Sequence, residues 1–130
     1  MLWDSGYGEH YPDLAFDPAA FLLTRVVSHP GPGNFVCLEL GHKAVSAENP
    51  IENRVRFPGL DVVRFVSQSE EHLVVELSDR SSAPVGLDVI GVPYHVCPSV
   101  ALHQQATVVR NGQATDEIWK IAARDRILSV

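Results

Sequence analysis

Glycine and proline interrupt this sequence so often that no convincing amphipathic helix can be traced along it. The chain has 9 glycines and 9 prolines in 130 residues, and several fall in clusters, such as residues 30–34 and residues 58–59. Proline fixes φ and glycine tolerates positive φ, so these clusters predict turns. The segments between them are short, and several are rich in β-branched residues, which favours strands.

The segments between the turns define the predicted elements. Residues 17–20 and 98–102 predict single helical turns, the first because Asp17 is a good N-cap before a proline. Asn111-Gly112 between two strand-like segments predicts a type I′ hairpin. We predict one all-β domain over residues 1–130, a small antiparallel barrel- or sandwich-like fold with one or two short helical turns. Its predicted extended segments are residues 2–4, 21–28, 35–40, 54–57, 62–67, 72–78, 86–92, 106–110, 118–122 and 126–130, and residues 5–17 are predicted to be a polar loop.

Charge and hydropathy exclude several classes of function. The formal net charge is −6 and no basic stripe is present, which argues against a nucleic-acid partner. No apolar run has the length that a bilayer requires, and no cleavable signal is recognisable, so we expect a soluble, cytoplasmic protein without a membrane partner. For such a chain we expect Cys37 and Cys97 to be reduced thiols, with Cys37 in the core.

A histidine and a cysteine two positions apart form the clearest candidate site. His95 and Cys97 lie in the sequence VPYHVCP, residues 92–98. In an extended chain they would project from one face, with Val96 on the other. Pro93 and Pro98 disfavour regular helix here. Imidazole nitrogen and thiolate sulfur suit zinc, so the segment predicts a metal site.

Two ligands do not by themselves define the kind of site. Structural zinc usually has four protein ligands, whereas catalytic zinc keeps an open position. The alternative interpretation of the same pair is a half-buried histidine beside a buried cysteine without any metal.

The wider sequence resembles a known family. The similarity extends in order over residues 2–130 and is clearest in GVPYHVCPSVALH, residues 91–103, and VVRNG, residues 108–112. These motifs resemble the C-terminal domain of D-threonine aldolases and eukaryotic-type D-serine dehydratases, and most closely the bacterial D-threonine aldolase-like proteins. Further agreement lies in residues 32–33, 40–46, 69–72 and 122–126.

The resemblance implies a pyridoxal-phosphate enzyme of alanine-racemase-like design. In such enzymes a TIM-type barrel carries the cofactor on a lysine Schiff base, a C-terminal β-domain closes the active site, and the protein is expected to be a homodimer. It also implies a divalent metal, zinc or another ion such as manganese, held by His95 and Cys97. The barrel is missing from this sequence, and neither Lys43 nor Lys120 matches its lysine. We therefore expect a domain of a longer lyase that is inactive alone, or a stand-alone zinc- or partner-binding β-domain.

In the family chemistry the metal polarises the β-hydroxyl of a D-β-hydroxy amino acid, and pyridoxal phosphate serves as the electron sink. Aldol cleavage and dehydration both fit this description. Cysteine at the second ligand position favours the dehydratases slightly, whereas the wider sequence favours the aldolases. The sequence therefore does not decide between the two reactions.

Four weaker candidates accompany the pair. His103 is either near the metal or a polar residue at the rim, and His72 closes an acidic turn where loop-stabilising hydrogen bonds are the alternative. Lys43 either meets a phosphate or carboxylate at a domain interface or lies in a solvated loop. Tyr7, together with Asp4, matches positions near the junction between the two domains of the family.

Overall fold

The computed structural model describes residues 2–125 and 127. Within that range the chain is mainly β-structure, as predicted, with two short α-helices. None of these helices is long and apolar enough to cross a bilayer. The strands are β1 (Leu22–Ser28), β2 (Phe35–Leu38), β3 (Val55–Arg56), β4 (Val62–Gln68), β5 (Leu73–Leu77), β6 (Asp88–Pro93), β7 (Gln105–Arg110) and β8 (Gln113–Lys120), the helices are α1 (Ser5–His10) and α2 (Val96–Val100), and single 3-10 turns lie at Ile51–Asn53, Arg80–Ser82 and Ala122–Arg124.

Six of the strands form one antiparallel sheet in the order β3-β6-β1-β2-β5-β4. The sheet curls into a half barrel, which confirms the predicted fold class. One face of β5 forms much of the core, since Leu73, Val75 and Leu77 are at most 2% exposed and alternate with half-buried residues. This period of two is typical of a strand with one buried face.

The hairpin β7–β8 forms a separate two-stranded sheet. Asn111 and Gly112 have φ values of 52° and 76°, which confirms the predicted pair of positive-φ turn residues. Strand β8 begins directly after the turn, five residues earlier than predicted. The predicted tail strand, residues 126–130, lies outside the described residues except for Ile127, which is not in a strand.

Three predictions near the N-terminus are wrong. Residues 2–4 are not a strand, and the predicted loop contains α1. Two glycines in α1 weaken its helix propensity, but Asp4 caps it through the backbone N–H of Tyr7 and Gly6 donates to the carbonyl of Tyr94 at 2.9 Å. Tertiary contacts therefore override the local signal. The predicted helical turn over residues 17–20 is also absent.

Candidate metal centre

His95 and Cys97 lie where β6 leads into α2. His95 is the N-cap with extended backbone angles, and Cys97 is in the first helical turn. The prediction that both residues lie on one extended segment is therefore wrong. Pro98 does not prevent the helix because it is the third helical residue, where a backbone N–H has no intrahelical partner to lose. As predicted, Val96 points inward and is 3% exposed.

The side chains of the pair face outward. The ring of His95 makes no capping hydrogen bond, is about two-fifths exposed, and contacts the Glu48 carboxylate through Nδ1. Cys97 is an exposed free thiol, not the buried cysteine of the alternative interpretation, and Cys37 is a buried free thiol in the core, as predicted. Both candidate ligands are therefore accessible at the start of the same helix.

Asp4 ties the start of α1 to the start of α2. It is 2% exposed, and its two carboxylate oxygens accept hydrogen bonds from the backbone N–H groups of Tyr7 and Val96, each at 2.8 Å. The Ser5 hydroxyl donates to the carbonyl of Pro93 at 3.2 Å. The N-terminal segment thus holds the backbone on both sides of His95.

The other support for α2 is the loop that follows β2. The Ser46 N–H donates to the hydroxyl of Ser99 at 3.0 Å, and that hydroxyl donates to the carbonyl of His95 at 3.2 Å. His103 Nε2 donates to the carbonyl of Ala44 at 2.8 Å. The structure thus gives His103 a role in holding this loop, with that ring nitrogen already used.

An open cleft of about 290 Å³ adjoins His95. Tyr7, a weaker candidate from the sequence, lines it, and His10 lines it too, with its Nδ1 2.7 Å from the carbonyl of Gly6. His10 falls within residues 5–17, for which a polar loop was predicted, because only the cap by Asp4 reveals α1. The lining residues are Asp4, Gly6, Tyr7, His10, Tyr11, Asn49, Tyr94 and His95.

A charged network borders the cleft at Tyr94. Arg56 donates to the carboxylate of Glu9 at 3.1 Å and its guanidinium carbon lies 5.2 Å from the centre of the Tyr94 ring. The Arg56 hydrogen bond lowers the pKa of Glu9. Partial desolvation, followed by the hydrogen bond to Glu9, raises the pKa of Tyr94. The cleft therefore presents a neutral phenol beside an ion pair at neutral pH.

Lys43 contacts the β4–β5 turn from the loop after β2, and His72 is the last residue of that turn. Lys43 pairs with Glu70 and Glu71 at 2.9 and 2.8 Å, and the hydrogen bond to Glu71 followed by that to Glu70 raises its pKa. The His72 backbone exchanges hydrogen bonds with Ser69. Within the described residues neither side chain bonds or pairs with His95 or Cys97.

The donor set suits a divalent ion, but only with two protein ligands. A neutral imidazole and a thiolate are zinc donors, and both are accessible here. Within residues 2–125 and 127, no group of three or more His, Cys, Asp or Glu side chains is arranged to hold a metal. Any metal at this position would therefore need further ligands from a substrate, water or another domain.

Comparison with known proteins places the chain in a family. Residues 19–109 match the family model described as "Putative serine dehydratase domain". The chain belongs to this serine dehydratase domain family. The match includes His95 and Cys97 and ends inside β7, so the family region contains the two candidate ligands and the six-stranded sheet but not the N-terminal side of the cleft.

Some relatives are about three times as long as this chain, and others are of similar length. The chain is 36% identical over 125 residues to the D-threonine aldolase of an Arthrobacter species and 32% identical over 119 residues to the 3-hydroxy-D-aspartate aldolase of Paracoccus denitrificans. It covers 95% and 92% of its own length in these matches but only 32% and 29% of theirs, so it spans about a third of these curated relatives. It is also 31% identical to an uncharacterized protein of Mycobacterium tuberculosis, of which it covers 86%.

Solved structures share the fold. The D-threonine aldolase from Filomicrobium marinum matches 95% of this chain with a TM-score of 0.76 at 26% identity, over 34% of its own length. An alanine racemase-like protein from Idiomarina loihiensis matches 77% of the chain with a TM-score of 0.61 at 25% identity. The expected resemblance to D-threonine aldolases and alanine-racemase-like proteins is confirmed.

Proposed function

We propose that this chain is the metal-binding C-terminal domain of a pyridoxal-phosphate-dependent D-amino acid lyase. The proposed ligands are His95 and Cys97, and the proposed substrates are D-β-hydroxy amino acids. The observation that carries the proposal is the position of an outward-facing imidazole and an exposed thiol two residues apart at the start of α2, with the imidazole lining an open cleft. The aldolase relatives and their threefold greater length support a role within a larger enzyme.

The residues of this chain would bind the metal ion and orient the substrate. When bound, a divalent ion supplies Lewis-acid polarisation of the substrate β-hydroxyl, and pyridoxal phosphate in the full-length enzyme supplies the electron sink. His95 and Cys97 would fix the ion on α2, whose position is set by Asp4 on one side and Ser99 on the other. Tyr94 and Tyr7 would line the substrate side of the cleft.

A zinc titration of the reduced chain tests the ligand assignment. Calorimetry should detect one zinc ion per chain, and His95→Ala and Cys97→Ser should each weaken binding at least tenfold. His42→Ala is the matched control, because His42 is an exposed histidine at the start of the loop after β2 and not on α2. If both site variants bind zinc as tightly as the parent chain, the metal lies elsewhere and the proposal fails.

A second candidate is a zinc- or partner-binding domain without lyase chemistry. The mycobacterial relative favours it, because this domain makes up most of that protein. The two proposals differ in a complementation assay. The rest of the Arthrobacter aldolase, expressed without its matching third, should regain metal-dependent cleavage of D-threonine when this chain is added only if the lyase proposal is correct.

A further inference from the structure

The loop that follows β2 brings a carboxylate to the candidate metal ligand. Glu48 Oε1 contacts Nδ1 of His95 across 47 positions of sequence. Both side chains are about two-fifths exposed, so the contact is accessible to solvent. We infer that Glu48 is a positioning residue that fixes the ring of His95 so that Nε2 would be free to bind a metal, an inference that rests on the proposed function.

The chemistry of the contact decides which ring nitrogen is free. An ionised carboxylate can only accept a hydrogen bond, whereas a neutral imidazole has one donor nitrogen and one acceptor nitrogen. Glu48 therefore selects the form in which Nδ1 carries the proton. The lone pair is then on Nε2, which is the arrangement of the carboxylate–histidine–metal triads found in metalloproteins.

The backbone around Glu48 is held well enough for this role. Two residues earlier, Ser46 is bonded to Ser99, whose hydroxyl also bonds the carbonyl of His95. Ser99 is 2% exposed, so this link is shielded from water. Further back, His103 bonds the carbonyl of Ala44. The loop is thus joined at three points to the segment that runs from His95 through α2 to His103, and Glu48–His95 is the exposed one of the three.

The exposure of the Glu48–His95 contact distinguishes a positioning role for Glu48 from a role in stabilising the fold. A half-exposed carboxylate–histidine contact contributes little to stability, on the scale of an ordinary surface pair. Removing the Glu48 carboxylate should therefore leave the fold intact and change only the state of the His95 ring and the affinity of the site.

Two measurements on the parent chain and Glu48→Gln test the inference. Nitrogen-15 NMR of the metal-free chain should show His95 protonated at Nδ1 in the parent and a mixture of the two neutral forms in Glu48→Gln, because an amide both donates and accepts. The zinc Kd should rise about tenfold, as for the loss of other outer ligand partners. Glu52→Gln, an exposed glutamate four residues later, is the matched control and should change neither.

The outcomes separate the inference from the proposed function. A parent chain that binds no zinc, or binds it unchanged after His95→Ala and Cys97→Ser, overturns the proposed function and this inference with it. A parent that binds zinc at His95 while Glu48→Gln keeps the same Kd overturns the inference alone. So does a parent in which His95 is protonated mainly at Nε2.

Discussion

The carboxylate of Asp4 accepts a hydrogen bond from the backbone N–H of Val96 at 2.8 Å, across 92 positions of sequence. Its other oxygen caps α1 through the N–H of Tyr7. One buried side chain therefore satisfies the first turns of two helices and fixes the position of His95, which lies between the end of β6 and Val96. The candidate site depends on an N-terminal residue as much as on its own segment.

Asp4→Asn should lower the free energy of unfolding by about 2 kcal/mol. Asparagine has a single acceptor oxygen, so its amide would face one of the two backbone N–H groups, and an unsatisfied buried donor costs about 1–3 kcal/mol. Urea denaturation measures the change. Asp17→Asn, at an exposed position, should stay within about 0.5 kcal/mol of the parent. If Asp4→Asn and Asp17→Asn change the free energy of unfolding equally, Asp4 does not cap both α1 and α2.

Gly41 is required by a close backbone approach. A Cβ at this position would overlap backbone atoms of Glu70 and Glu71, while the neighbouring N–H groups of His42 and Lys43 bond to the carbonyls of Ser69 and Glu70. The loop cannot move away without breaking these bonds.

Gly41→Ala should therefore lower the free energy of unfolding by about 2 kcal/mol or more, in the range of overpacked sites. Gly59→Ala is the matched control, because a Cβ there would meet nothing within 4 Å, and its effect should lie within about 0.5 kcal/mol. Thermal or urea unfolding of both variants checks the difference. A Gly41→Ala variant as stable as Gly59→Ala would contradict the tight approach.

Lys43 should hold the pKa of Glu70 below its ordinary value. Its hydrogen bond and charge lower the pKa of Glu70 from the ordinary 4.5. A carboxylate with a lowered folded pKa stabilises the fold above pH 4.5, and that stabilisation is lost as the pH falls below 4.5 through the folded value. In Lys43→Met the Glu70 pKa should rise toward 4.5, as measured by carbon-13 NMR. Lys120→Met should leave the Glu70 pKa unchanged. If neither substitution changes the Glu70 pKa, the ion pair between Lys43 and Glu70 does not persist in solution.

Local pattern was enough to predict most of the strands and the β7–β8 hairpin, because β-branched segments between turns and the Asn111-Gly112 turn are properties of neighbouring residues. The helix α1 could not be predicted in this way. Its sequence contains two glycines, and it forms because Asp4 and Gly6 bond to residues 94–96. A contact between distant segments leaves no periodic signal in either one.

The candidate site could be predicted only in part, again because some of its contacts join distant segments. The donor types of His95 and Cys97 could be recognised from the sequence, and a resemblance to a family drew attention to them. Glu48 carries no motif, and its contact with His95 exists only because the loop after β2 folds against α2. The helical position of Cys97 was missed because Pro98 was taken as a helix breaker, whereas the first turn of a helix accepts proline.

The isolated chain should form no specific adduct with pyridoxal phosphate. Schiff-base formation needs a neutral amine, and the hydrogen bonds from Lys43 to Glu71 and Glu70 raise its pKa and keep it an ammonium. After incubation, borohydride reduction and gel filtration, mass spectrometry should find no preferred modification at Lys43. The double variant Glu70→Gln with Glu71→Gln should be modified there more readily at the same pH. A retained adduct in the parent chain that disappears in Lys43→Ala would contradict this expectation and make Lys43 a cofactor-binding residue.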